Sequence, residues 1–293
     1  MLFCGHHSEW VRRMTTLKLW LSSIATMFAN FGALLVFAII YAFLLVASYI
    51  FISIREATVW QVLVTYALMI LIPIGFFILQ AAIVNRAIDQ KLRWGVILVD
   101  ALKFLVVTIL VLLVVWLLHY LLNKVSARYP APVAPIPPPA KAGQPTTPTT
   151  TPLHWPSLIF ATLRFVLWGV AFPLATIHLW TAIAGGEIRT LFAKSLFKRI
   201  ASALARAFSA DSVLIYGLGL VIFFVLPYVI LVPAFRFNGN KTEFAFFGLR
   251  LLLSFVFSLV GWVLTLTAFA RNVPSLPPEV SASAVALPTE SAA

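Results

Sequence analysis

Two arginines set inside apolar runs, Arg164 and Arg250, are the residues here whose type and placement most readily suggest chemistry. A guanidinium in hydrocarbon is costly, so it marks either a partner or a site. Arg164 lies seven residues into its run and Arg250 six into its own. Both runs begin on the same side of the membrane, which sets both arginines roughly 10 Å below that surface. Together they would form a basic site for an anionic group such as a phosphate headgroup, with Glu243 as the nearest counter-charge. Separately, each would reach back to the headgroups along its own stem, and this simpler arrangement is the favoured one.

The other candidates are weaker. Asp100 and Lys103 are three residues apart on one helical face and can pair. Their expected place is the solvated side of an interfacial helix, which leaves the apolar stretch from Phe104 onward uninterrupted. His119 and His178 fall near opposite ends of their runs, too far apart to cooperate. Trp60, Trp94, Trp155 and Trp180 read as markers of the headgroup level. Cys4, the one cysteine, excludes an intrachain disulfide. Cys4-Gly5-His6-His7 offers too few convergent ligands for a metal centre, so no metal and no cofactor is expected. The sequence carries no P-loop, no H-E-x-x-H, no G-x-S-x-G and no paired carboxylates in one segment. A nucleophile, a base and a charge stabiliser cannot be assembled from it, and a non-enzymatic protein is the expectation.

Composition says what positions these residues. The chain has 293 residues, 62% hydrophobic and 10% charged, with a mean hydropathy of +1.01. Soluble domains carry about a quarter charged residues. Apolar runs of this length need lipid as their solvent. The formal charge of +12 sits at the ends of those runs, which favours anionic lipid over nucleic acid as the partner.

The chain therefore reads as an all-α polytopic bundle of about six spans with cytoplasmic interfacial helices. Spans are expected at 31–54, 59–84, 104–122, 157–182, 213–235 and 244–270. Amphipathic helices are expected at 19–31, 89–103 and 188–209. The third carries Lys194, Lys198 and Arg206 opposite an apolar stripe, and with Arg199 these are the expected membrane-surface contacts. Residues 129–156 are Pro/Thr-rich and suit an extended linker, and residues 271–293 suit a disordered tail. The linker divides the chain into an N-terminal membrane region, 1–128, and a C-terminal one, 157–270. Pro73, Pro173, Pro227 and Pro233 should kink or loosen three spans. Ala25, Ala29 and Ala33, with Gly32, suggest a close helix contact. The run at 31–54 is too long for the apolar core of a cleavable signal peptide. Met14 is an alternative start to Met1.

Basic residues set the orientation. With the N-terminus inside, the inner set is Arg12, Arg13, Lys18, Arg86, Lys91, Arg93, Arg189, Lys194, Lys198, Arg199, Arg206 and Arg271. The outer set is Arg55, Lys124, Arg128, Lys141, Arg236 and Lys241. Twelve against six places both termini in the cytoplasm, and a bacterial inner membrane fits the compact chain. The layout also suggests three copies of one unit, an interfacial helix followed by a span up and a span down. Pro73 and Pro173 then match at an offset of 100 residues. The leading functional expectation is a protein that supports or organises membrane components through lipid or protein contacts. The alternative is a small transporter or lipid-handling protein that uses Arg164 and Arg250.

Overall fold

The structure is a computed structural model that describes residues 18–271, apart from residues 19, 26, 30, 56, 90–91, 131–153, 185–194 and 233–239 and the side chains of residues 89, 195–199 and 240. The fold is all-α, with no strand among the described residues. A short helix in residues 18–29 leads into α1 (Phe31–Ser53). Then follow α2 (Val59–Asp89), α3 (Trp94–Ser126) and α4 (Trp155–Ile183). They are succeeded by α5 (Ser195–Ala207), α6 (Ala210–Leu231) and α7 (Asn240–Arg271). All but α5 are long and apolar enough to cross a membrane, which makes the chain a multi-pass helical bundle with six candidate spans.

Local sequence sets several helix starts. Thr58 and Gln61 form a capping box at α2: the Gln61 amide donates to Thr58 Oγ1, and Gln61 Oε1 accepts from the amides of Ala57 and Thr58. At α4 the His154 side chain accepts from the Ser157 amide, with Pro156 in the first turn. At α6 the Ser209 side chain accepts from the Ser212 amide.

The expected interfacial helix at 89–103 does not exist as a separate element. Asp89 ends α2, and residues 94–103 are the first turns of the 33-residue α3. That helix is about 50 Å long, well beyond the roughly 30 Å of hydrocarbon. Nothing in 94–126 breaks it, and its polar residues find partners inside the bundle, as described below.

The helices converge at one end and splay at the other. Buried side chains lie in the last turns of α2, α4 and α7 and the first turns of α3 and α6. Residues 79–85 of α2, 174–181 of α4 and 263–270 of α7 are buried on every side. These three stretches are the centre of the packed end. The opposite half exposes Ile52, Trp60, Leu113, Phe165 and Phe244, an apolar surface that lipid solvates.

Helices α6 and α7 approach most closely. A methyl group at Gly261 would meet the Phe223 amide nitrogen at 2.7 Å, and one at Gly219 would collide with Thr265. Of the close contact expected along Ala25, Ala29 and Ala33, with Gly32, only Ala33 packs against the core: Ala25 and Ala29 are exposed, and Gly32 faces open space. Small residues permit close approach only where a second helix arrives.

The prolines act in a patterned way. Helices α4 and α6 each contain a π-helical turn, Leu167–Ala171 and Val221–Val225, and each turn starts six residues before a proline, Pro173 or Pro227. Proline has no N–H, so in α-helical register it leaves the carbonyl four residues earlier without a donor. Those carbonyls belong to Gly169 and Phe223. The Tyr216 hydroxyl donates to Gly169 at 2.9 Å, and the Ser258 hydroxyl donates to Phe223 at 3.1 Å. Each freed carbonyl is thus satisfied from the next span in the chain. Helix α2 stays α-helical through Pro73, so the π-helical turn before a proline is shared by α4 and α6 and not by α2.

Candidate functional site

The most polar buried feature is at the packed end. Asp100 and Lys103 are almost completely buried, at 0% and 3% exposure, which overturns their expected place on a solvated face. Lys103 Nζ lies 2.8 Å from Asp100 Oδ1, and Asn85 Nδ2 donates to Asp100 Oδ2 at 2.9 Å. Asn85 also donates to the Ala81 carbonyl. The carboxylate thus ties the end of α2 to the start of α3. A sealed ion pair of this kind specifies register more than it adds stability. Sequence spacing gave the Asp100–Lys103 pair but not Asn85, which comes from the neighbouring helix.

Trp180, expected at the headgroup level, and His178, expected near a span end, are both core residues. Trp180 is 3% exposed. It stacks on Phe104 at 5.3 Å between centroids, and its indole N–H donates to Thr108 Oγ1 at 3.0 Å. Trp60, Trp94 and Trp155 are exposed, as a headgroup position requires. His178 is buried, with Nε2 2.9 Å from Ser212 Oγ and its ring edge-on to Phe269. Ser212 donates in turn to the Arg206 carbonyl at 2.8 Å. This chain fixes the α5–α6 corner against α4. Ser212 is 1% exposed. His119, at the splayed end, lies 3.2 Å from the Trp168 indole nitrogen.

Arg164 and Arg250 are held by different neighbours. Arg164 Nη2 donates to Ser126 Oγ at 2.8 Å, at the far end of α3, while its Nε is sealed without a partner. Arg250 donates to the carbonyls of Ile230 and Leu231, where α6 ends, and lies over the Phe246 ring. Of the basic residues expected at the surface, Arg206 folds back on Ser202, donating to its carbonyl at 3.1 Å. Lys194 and the side chains of Lys198 and Arg199 lie outside the described residues, as do Cys4, His6 and His7. Among the described residues no three His, Cys, Asp or Glu side chains converge on one point.

Two sizeable cavities open between the helices. One, of about 500 Å³, runs along α3 from Val106 to Leu118 and along α4 from Leu167 to Ile183. Its third wall is Ile200, Leu204 and Phe208, from α5 and the residue after it, and its lining is almost wholly carbon. The other, of about 340 Å³, lies between α1, α2, α6 and α7 and includes Tyr41, Ser48, Gln80, Ser258 and Trp262. Neither cavity is lined by Arg164 or Arg250. Pattern analysis missed both, since each draws on three or more helices and its polar residues are scattered singly along the chain. No known family model matches the chain, and neither a characterised protein nor a solved structure is significantly similar to it.

Proposed function

We propose that the chain is a non-catalytic protein of the bacterial inner membrane, with both termini in the cytoplasm, that organises membrane components by holding lipid. The carrying observation is the 500 Å³ carbon-lined cavity between α3 and α4, with α5 beneath it. Its α3 wall runs over thirteen residues, Val106 to Leu118, a rise of about 18 Å, the scale of a lipid chain. The basic residues Lys194, Lys198, Arg199 and Arg206 fall in and just before α5 in the sequence, and α5 walls the cavity, so this segment would supply the cations for an anionic headgroup.

The test is lipid retention after reconstitution. Nanodiscs of mixed anionic and zwitterionic lipid are loaded with the protein, and retained lipids are identified by native mass spectrometry. The wild type should keep anionic lipid selectively. The K194Q/K198Q/R199Q/R206Q variant should lose the selectivity, and Leu110→Trp, which fills the cavity, should lose retention. Unchanged lipid in both variants rejects the proposal.

A transporter that binds its anion through Arg164 and Arg250 draws support from the π-helical turns beside Pro173 and Pro227. It draws less from the arginines themselves, since each is engaged by its own neighbour.

A further inference from the structure

The 340 Å³ cavity has the construction of a ligand site, and its chemistry is unlike that of the carbon-lined one. Its polar residues lie at hydrocarbon depth. Tyr41 is one residue from the middle of the 23-residue α1. Gln80 is six residues, about 9 Å, from the middle of α2, within the roughly 15 Å half-thickness of hydrocarbon. Water is scarce there, and every polar group needs a partner.

Most have one. The Ser48 hydroxyl donates to the Leu44 carbonyl at 2.8 Å, Ser258 donates to Phe223, and Tyr41 is hydrogen-bonded with Ser258. Gln80 is the exception. Its Oε1 lies 2.6 Å from the Trp262 indole nitrogen. An indole N–H only donates, so this contact fixes which end of the amide is oxygen. The two hydrogens on Gln80 Nε2 meet no acceptor among the described residues. The side chain is 1% exposed and is part of the cavity lining. An amide donor left unmatched at this depth is costly. Around it stand the rings of Tyr41, Phe76, Phe223 and Trp262, the last two edge-to-face at 5.2 Å.

We propose that this cavity binds an uncharged, bilayer-dissolved molecule whose planar ring carries a carbonyl oxygen, the chemistry of a quinone headgroup. Gln80 Nε2 donates to the carbonyl. The aromatic walls pack against the ring, and the open side of the cavity lets an apolar tail remain in the bilayer. The volume suits a small-molecule pocket, and none of its groups carries a charge that would select an ion.

The experiment uses the full chain in phosphatidylcholine nanodiscs with a photoreactive azidoquinone, and labelled peptides are mapped by mass spectrometry. Label is expected on the segments holding Tyr41, Phe76 and Trp262, with competition by decylubiquinone and none by added phosphatidylcholine. Gln80→Leu should weaken competition about tenfold. Ile72→Trp should abolish it by filling the cavity from its rim without touching the Gln80–Trp262 pair, and so serves even if Gln80→Leu misfolds. Label spread over the lipid-facing surface overturns the inference. So does label unaffected by Ile72→Trp, or label displaced by phosphatidylcholine, which would assign the donor to an ester carbonyl.

Discussion

The hydroxyl of Tyr216 in α6 lies 2.9 Å from the carbonyl oxygen of Gly169 in α4, the acceptor that Pro173 deprives of its α-helical donor. A defect written into one helix is thereby repaired by the next. Tyr216→Phe should lower stability by about 1 kcal/mol. In a Pro173→Ala background the same change should cost much less, since residue 173 then supplies the missing N–H. A double-mutant cycle on unfolding in mixed micelles measures this coupling, and strict additivity would disprove it.

The sealed Asp100–Lys103 pair makes a sharper prediction. Asp100→Leu removes the carboxylate beside a buried ammonium and should cost about 3 kcal/mol or more. The double variant D100L/K103L should recover most of that loss, because no charge is then buried. Equal instability of the single and double variants, read from thermal aggregation in detergent, would argue that these side chains are hydrated.

Glycine substitutions should separate close packing from open space. Gly261→Ala places a methyl group 2.7 Å from the Phe223 amide nitrogen, on backbone that has little room to yield. A loss of about 1–3 kcal/mol is expected. Gly32→Ala, where no atom lies within 4 Å, should leave the melting temperature unchanged or slightly raised. The reverse ranking would contradict the α6–α7 interface.

The proposed orientation is open to labelling. In a Cys4→Ser background, intact cells should react with an impermeant maleimide when they carry Ala140→Cys and resist when they carry Ser202→Cys, until the membrane is permeabilised. Reaction of both before permeabilisation would put the Pro/Thr linker and α5 on one side and break the alternation of spans.

Much of the architecture is legible in composition because lipid is an undemanding solvent. A run of some twenty apolar residues has one stable solution in hydrocarbon, a helix, so the helices from Phe31–Ser53 to Asn240–Arg271 follow from hydropathy. Local caps such as Thr58-x-x-Gln61 sharpen their starts.

Pattern fails where a residue's meaning depends on which helix lies beside it. Asp100 and Lys103 look solvated until Asn85 arrives from α2. Trp180 looks interfacial until Phe104 stacks on it, and Arg164 and Arg250, expected to reach separately for headgroups, are held by Ser126 and by the end of α6. Sequence by itself determined that the chain is helical, apolar and basic at its flanks, because those properties arise residue by residue against the solvent. Only the tertiary structure decided that the helices converge at one end, which carbonyls the prolines leave to their neighbours, and that Gln80 faces a cavity, because each of these is a relation between helices that the chain brings together from far apart.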